Sequence, residues 1–135
     1  MEPLFKDVSD KELAVLQVLW DRGPSTIGQV TDALYPRPTD ADYASVQVFL
    51  NRLEDKKHVR RDRSQRAHVF HAVTGREELV GKRLRLVAEQ LCGGLMGPLL
   101  THLVRAEALT AEEIEQLRQL MDQLERKPPS RERRR

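Results

Sequence analysis

The 135-residue sequence predicts a mainly α fold with one small β-hairpin, and three observations support that prediction. Apolar residues recur every three or four positions over most of the chain, which is the spacing of helices that bury one side. Three Ser/Thr-x-x-Glu boxes, beginning at Ser9, Thr74 and Thr110, are typical of helix starts. Only residues 58–73 are rich in β-branched and aromatic residues with a rough alternation, as expected for paired strands.

The first helix is predicted to begin at the Ser9 box and to end at Gly23-Pro24, where glycine and proline interrupt the pattern. Its inward residues are Leu13, Val15, Leu16, Leu19 and Trp20. We expect Ser25 to cap a second, shorter helix. The inward residues of that helix are Ile27, Val30, Ala33 and Leu34. The two prolines within residues 35–40 then predict a loop.

A third helix is predicted to run to about Lys57, with Asp40 or Asp42 as its cap. Its inward residues are Val46, Phe49, Leu50 and Leu53. Residues 58–62 and 67–73 are expected to form the two strands of the hairpin. The polar segment 63–66 between them makes its basic turn.

Three more helices are predicted after the hairpin. The first opens at the Thr74 box and is interrupted at Gly93-Gly94. Its inward residues are Leu79, Val80, Leu84, Val87, Ala88 and Leu91. A short helix follows, carrying Leu99, Leu100, Leu103 and Val104. The last helix runs from the Thr110 box to residue 126.

The charge is distributed unevenly, although the net charge of the chain is only +2. Residues 51–73 carry seven Lys and Arg against three Asp and Glu, and residues 127–135 carry five against one. Residues 74–126 are weakly acidic, with seven bases against nine acids. A basic segment that coincides with the third helix and the hairpin favours a nucleic-acid partner, whereas a solvated surface is the simpler alternative.

Several classes of protein are not expected. No apolar run approaches the ~20 residues of a membrane-spanning helix, so no membrane insertion is predicted. The N-terminus has no basic region followed by an apolar one, and the single Cys92 cannot form an internal disulfide. These features predict a reducing, cytoplasmic setting, in which Cys92 is a small buried apolar residue rather than a redox switch.

No enzymatic or metal-binding constellation is recognised. A phosphate-binding glycine loop, His-Glu-x-x-His and Gly-x-Ser-x-Gly are all missing from the sequence. His68 and His71 are three residues apart on a strand and therefore on opposite faces, while His58 and His102 have no evident partner. We expect no catalytic residue, no metal and no cofactor.

Three helices followed by a hairpin is the order of a winged helix-turn-helix domain, whose third helix enters the DNA major groove. The sequence therefore predicts a winged-helix DNA-binding domain at residues 1–73. A helical dimerisation domain is predicted at residues 74–126, and a disordered basic tail at residues 127–135.

The side of the third helix opposite its inward residues carries small residues, amides and one arginine, unlike an ordinary solvated helix. Asn51 and Gln47 can pair with adenine. Arg52 can bind phosphate or guanine, and Val48 can touch a thymine methyl group. Packing of Ser45 and Val48 under the following loop is the alternative.

Two arginines at the hairpin tip are expected to reach the DNA backbone or the minor groove. Their simpler interpretation is a pair of surface arginines without a partner. The predicted DNA-binding residues are Tyr43, Ala44, Ser45, Gln47, Val48, Asn51, Arg52, Arg63 and Arg66.

The second half of the chain predicts a homodimer. Its helices are amphipathic, and a unit of this size buries little apolar surface by itself. The last helix has an apolar seam at i, i+3, i+7 and i+10 that a second copy of the chain could cover. The two DNA-binding domains of such a dimer are related by a two-fold axis and would therefore recognise a palindromic DNA sequence. Folding of this seam onto the winged-helix domain is the alternative. The predicted dimerisation residues are Leu84, Leu91, Leu99, Leu103, Ile114, Leu117, Met121 and Leu124.

An ordered set of segments resembles the penicillinase-repressor family of winged-helix regulators. Residues 12–27 are similar to its first helix and turn, and residues 43–56 to its recognition helix. Residues 59–70 are similar to its wing, and residues 107–117 to its dimerisation end. The resemblance covers about residues 8–125. It implies a homodimeric repressor on a palindromic DNA operator.

In the drug-resistance members of that family, a membrane-bound sensor protease system cleaves the repressor within its dimerisation domain. The resemblance places the candidate cleavage site at His102-Leu103, where relatives have Asn-Phe. Ala44, Ser45 and Val48 stand where the family usually has threonines, so a different operator is expected. Copper-responsive relatives carry paired cysteines, which this chain lacks.

The predicted function is therefore a sequence-specific transcriptional repressor that binds double-stranded DNA as a homodimer and is released by an upstream signal. The alternative from another class is a winged-helix scaffold that binds a protein partner and no specific DNA. An enzyme is not expected.

Overall fold

A computed structural model describes residues 5–126 of the chain. It is mainly helical with one small antiparallel sheet, which confirms the predicted fold class. The elements are α1 (Asp10–Arg22), β1 (Ser25–Thr26), α2 (Ile27–Leu34), α3 (Asp40–Asp55), β2 (Val59–Asp62), β3 (Val69–Ala72), α4 (Arg76–Leu91), α5 (Gly97–Arg105) and α6 (Ala111–Arg126). The chain divides into two compact units between Leu84 and Arg85.

The first unit is built on one apolar core to which α1, α2, α3 and the sheet all contribute. The predicted inward residues of the first three helices are buried or partly buried in it. The residues with no exposed surface are Val15, Leu16, Val30, Val46, Leu50, Leu53 and Phe70. Helical periodicity therefore identified the buried side of α1, α2 and α3 correctly, because one-sided burial is what produces that period. In α4, by contrast, the predicted inward residues Val80, Leu84 and Leu91 are exposed.

Two of the caps predicted for the first three helices are wrong. The Ser9 box is present as predicted, but Thr26 rather than Ser25 caps α2, and Thr39 rather than an aspartate caps α3. In α3, Asp42 is the third helical residue and accepts from the backbone N–H of Thr39 at 3.0 Å. Ser, Thr and Asp are all good N-cap residues. Where they are neighbours, the sequence does not determine which of them adopts the extended backbone conformation of the cap.

The sheet has three strands in the order β1-β3-β2, and not the two of the predicted hairpin. Ser25 pairs with Phe70 in β1, which is why it does not cap α2. In β2, Arg61 lies opposite the same Phe70. A two-residue strand has no periodicity to detect, so β1 was invisible in the sequence.

The end of α3 is set by two backbone hydrogen bonds. The N–H of His58 donates to the Leu53 carbonyl at 2.9 Å, and that of Lys57 donates to the Glu54 carbonyl at 3.0 Å. Lys57 has a φ of 72°, in the left-handed conformation that such a helix end requires. The resulting sharp turn ends the helix at Asp55, two residues before the predicted end, and leads directly into β2.

The segment that precedes α1 is held by side chains from three later elements. Lys56 donates to the Asp7 carbonyl at 2.9 Å, and Arg83 of α4 donates to the Asp7 carboxylate at 2.8 Å. His58, which the sequence left without a partner, is buried between the Lys6 carbonyl and the Thr74 hydroxyl. Since Nε2 faces a carbonyl oxygen, it carries a hydrogen and donates.

The second unit contains the end of α4 together with α5 and α6. The Thr110 box is present, with the Thr110 hydroxyl 3.0 Å from the backbone nitrogen of Glu113. The predicted Thr74 capping box is wrong, because α4 begins at Arg76 after Gly75 and the Thr74 hydroxyl pairs with His58 Nδ1 instead. Gly93 and Gly94 have φ of 62° and 86°, and they follow the end of α4. The predicted tail at residues 127–135 lies outside the described residues.

One buried ion pair connects α1 with α3. The Glu12 carboxylate is 2% exposed, and its Oε1 lies 2.6 Å from Lys56 Nζ. Burial raises the pKa of Glu12, but hydrogen bonds from Lys56 and the Ser9 backbone and the charges of Lys56 and Arg52 outweigh it. The pKa therefore lies below the ordinary value.

We expect Glu12→Gln to lower the free energy of unfolding by about 1–3 kcal/mol at pH 7, since glutamine keeps the capping box and loses the ion pair. A group whose folded-state pKa is lowered stabilises the fold above its unfolded pKa, near 4.5, and this contribution disappears as the pH falls through the folded value. The difference from wild type should therefore shrink below pH 4.5, as measured by urea unfolding at several pH values.

Asp10→Asn is the matched control, because Asp10 is an exposed carboxylate in the same helical turn. It shares the interaction with the helix dipole and lacks the buried partner. A Glu12→Gln deficit that is the same at pH 7 and below pH 4, or that equals the Asp10→Asn deficit, would contradict the role of the ion pair.

Candidate nucleic-acid interface

The outer side of α3 is open to solvent along its whole length. The seven predicted residues on this side are all exposed, namely Tyr43, Ala44, Ser45, Gln47, Val48, Asn51 and Arg52. Val48 is 43% exposed and Ser45 is also exposed, so neither packs under a following loop. An uncovered valine among small and amide side chains can approach a base edge closely.

The wing tip places its two predicted arginines in different surroundings. Arg63 has a 60% exposed side chain, and its Nη2 lies 3.6 Å from Glu54 Oε2 of α3. Arg66 is exposed on the loop between β2 and β3. The loop begins with a tight turn in which the Ser64 N–H donates to Asp62 at 2.9 Å. This hydrogen bond lowers the pKa of Asp62.

Arg61 connects the wing to α3, a role that the sequence did not predict. Its guanidinium carbon lies 4.7 Å from the centre of the Phe70 ring, and its Nη2 lies 3.0 Å from Glu54 Oε1. The same nitrogen donates to Asn51 Oδ1. The available signal was its position two residues after Val59, which puts both side chains on the inward face of the strand.

A groove of about 400 Å³ lies between the start of α2, α3 and the wing. Its lining combines predicted residues with residues that sequence reasoning missed. The lining residues are Thr26, Ile27, Gly28, Tyr43, Gln47, Arg61, Arg66, Ala67 and His68. The first residues of α2 form part of this lining, and the N-terminus of a helix favours an anion such as a DNA phosphate. The signal for Thr26 in the sequence is the Thr26-Ile27-Gly28-Gln29 capping box.

Fewer basic side chains are available on this side than the sequence count indicates. Lys56 is paired with Glu12, and Arg61 and Arg63 are both paired with Glu54. Within residues 5–126, no carboxylate lies within ion-pair distance of Arg52 or Arg66. These two arginines are therefore the best placed of the predicted residues to meet phosphate.

Comparison with known proteins agrees with this arrangement. The model of the penicillinase repressor family matches residues 8–123, which include all elements from α1 to most of α6. This chain belongs to the penicillinase repressor family. It is accordingly a transcriptional regulator of the repressor type and not an enzyme. The resemblance seen in the sequence is thereby confirmed.

Two similar proteins, from two strains of Mycobacterium tuberculosis, carry the name transcriptional regulator BlaI. Each is 38% identical to the repressor over 120 residues, and the match covers 87% of this chain and 85% of the relative. The similarity therefore extends over both compact units.

The predicted dimerisation residues are apolar and largely uncovered in the single chain. Six of the eight are exposed, namely Leu84, Leu91, Leu103, Ile114, Met121 and Leu124, while Leu99 and Leu117 are half-buried. Neither α5 nor α6 contains a fully buried residue. In the second unit, a groove of about 280 Å³ runs between these helices, lined by Leu100, Val104, Leu109, Ile114, Leu117, Arg118, Met121, Asp122 and Glu125.

The remaining predicted features concern cleavage, metals and membranes. His102 and Leu103 are both exposed on α5. Among residues 5–126, no group of three or more His, Cys, Asp or Glu side chains is arranged to hold a metal ion. No helix in the same range is long and apolar enough to cross a membrane.

We expect Arg52→Ala and Arg66→Ala each to weaken binding to duplexes of any sequence. Each substitution should reduce the slope of log K against log salt by about one, because one phosphate contact is lost. Lys11→Ala, at an exposed position of α1, is the control. Fluorescence anisotropy on a random-sequence duplex over a range of salt concentrations measures the slopes, and slopes equal to wild type would contradict the phosphate contacts.

Proposed function

We propose that this repressor binds a palindromic DNA operator as a homodimer, with α3 in the major groove. The observation that carries the proposal is the outer side of α3. It is exposed from Tyr43 to Arg52, and it lies beside a wing with exposed arginines and a groove that can accept a phosphate. A helix whose only role is to cover a core would not require an exposed outer side next to arginines and a groove.

The side chains on the outer side of α3 are of two kinds: small residues that allow close approach to the DNA, and longer residues that contact bases or phosphate. Ala44 and Ser45 are small enough to let the backbone of the helix approach the bases. Gln47 can pair with adenine, and Val48 can touch a thymine methyl group. Arg52 lies near the end of the helix and is suited to a phosphate or a guanine.

Contacts that do not depend on base sequence would come from the groove beside α3 and from the wing tip. Thr26 at the start of α2 and Arg66 of the wing loop line the same groove, so both can meet one phosphate. Arg63 extends from the wing loop with a 60% exposed side chain. Phosphate contacts of this kind fix the register of the helix on the duplex.

The second copy of the chain is proposed to cover the apolar surface of α5 and α6. Exposed apolar patches of this extent are uncommon on monomeric proteins. The seam Ile114, Leu117, Met121 and Leu124 lies along one side of α6, so a two-fold axis can place it against itself. Dimerisation then presents two copies of α3 to a palindrome.

Release by proteolysis is proposed to act on the same surface. His102 and Leu103 are exposed in the middle of α5, whose Leu100 and Val104 line the groove between α5 and α6. Cleavage between them would divide α5 and separate Leu100 from the other residues that line the groove. A membrane sensor protease system is the proposed source of the cleavage, and a cytoplasmic location is part of the same proposal.

Selection from a library of random duplexes tests the proposal directly. We expect wild type to enrich a palindrome, to bind it with two protomers per duplex, and to lose affinity steeply as salt increases. The measurements are sequencing of the enriched duplexes and analytical ultracentrifugation of the complex. Failure to enrich any sequence at low salt, together with stable capture of a partner protein, would instead support the scaffold function.

The dimer surface has its own test. We expect Met121→Lys to weaken self-association at least tenfold, since it puts a charge into the apolar seam. Met121 is 52% exposed in the single chain, so the substitution should not disturb the protomer. Gln119→Lys, on the opposite side of α6, is the control. Sedimentation velocity over a range of concentrations measures both variants, and equal dimer dissociation constants would contradict the assigned seam.

A further inference from the structure

The amide of Asn51 is not free to turn in the protein. Its Oδ1 accepts a hydrogen bond from Arg61 Nη2, and this nitrogen also lies 3.0 Å from Glu54 Oε1. Asn51 and Glu54 are three residues apart and therefore on the same side of α3, facing β2. Arg61 Nη2 of the wing thus contacts both Asn51 and Glu54 of α3.

Arg61 itself is fixed by its surroundings. Its side chain is only 14% exposed, and its guanidinium lies over the Phe70 ring, which is completely buried. Phe70 stands directly opposite Arg61 in the pairing of β2 with β3. The position of the donor is therefore determined by the sheet and the core, and not by the flexibility of a surface arginine.

The donor on Oδ1 determines how much of the amide remains for a ligand. Arg61 uses one of the two lone pairs of Oδ1, whereas both N–H groups of the amide nitrogen remain available to donate. With Oδ1 turned to the positive charge of Arg61, the N–H₂ group of Asn51 is left to point away from the wing. Asn51 is exposed, so this group is available to a base edge.

We propose that Arg61 is a positioning residue that makes Asn51 a donor to guanine rather than a partner of adenine. This inference rests on the proposed function and revises the adenine contact that the sequence indicated for Asn51. Arg61 acts through Asn51, whereas Asn51 is the residue that touches the base.

The edges of the bases explain the preference. Adenine is recognised by asparagine when Oδ1 accepts from the N6 amine and Nδ2 donates to N7. In this protein Oδ1 already accepts from Arg61, so the adenine amine would have to share the second lone pair of the same oxygen beside a positively charged donor. Guanine presents N7 and O6, which are both acceptors, and a donating N–H₂ group fits this edge.

The test compares base preferences, since a merely structural role would change affinity for all sequences alike. Duplexes are selected from a random library by wild type and by Asn51→Ala, and the position whose preference is lost in Asn51→Ala identifies the base read by Asn51. At this position we expect wild type to favour guanine over adenine about tenfold. In Arg61→Lys the ratio should fall to about one or reverse, because lysine lacks the planar fork and releases Oδ1.

Asn51→Asp provides a second variant that does not disturb Arg61. Aspartate keeps an oxygen for Arg61 and exchanges the donor for an acceptor, so the guanine preference should be replaced by a preference for cytosine, whose N4 donates. The matched control is Arg76→Lys. Arg76 also lies over an aromatic ring, 5.0 Å from the centre of Trp20, and pairs with Asp21, but outside α3 and the wing. Its base preferences should equal those of wild type.

Adenine as the preferred base of wild type at this position would overturn the inference. So would an unchanged guanine-to-adenine ratio in Arg61→Lys, or retention of the guanine preference in Asn51→Asp. These results all leave sequence-specific binding intact. If wild type enriches no sequence at all, the proposed function itself is wrong and this inference is wrong with it.

Discussion

Three residues of α3 are completely buried, and this constraint determines what the rest of the first unit can do. Val46, Leu50 and Leu53 lie against α1, α2 and the sheet in one core. Because a helix has two sides, burial of this stripe fixes which side chains face outward. The exposed series from Tyr43 to Arg52 is the direct consequence. The Schellman-type end at Lys57 then turns the chain so that the wing lies beside that side.

Several charged residues of the first unit form ion pairs that connect its helices and its wing. Glu12 and Lys56 join α1 to the end of α3, and Glu54 joins α3 to two arginines of the wing. These pairs remove bases from the apparent basic patch, but they fix the elements that carry the remaining ones. A regulator that reads DNA gains from this arrangement, since contacts must be held in register before they can discriminate between bases.

The two units differ in how completely their apolar residues are buried. The first has a core whose central residues have no exposed surface, whereas α5 and α6 contain no fully buried residue. A third of the chain is charged, so the apolar residues are too few to close both units alone. Covering of the second unit by another copy would supply the missing burial and couple folding of that unit to assembly.

Local patterns were enough to predict the order of the helices, the buried side of α1, α2 and α3, the pairing of β2 with β3 and the family. The exposed positions of α3 were also predictable, because helical period and capping boxes are properties of neighbouring residues. The tertiary structure alone decided which neighbouring residue caps α2 and α3, that Ser25 adds a third strand, and that Arg61 holds Asn51. It also decided the pairing of Glu12 with Lys56, 44 residues away. These features depend on contacts between distant segments, whose positions are fixed only when the common core has formed.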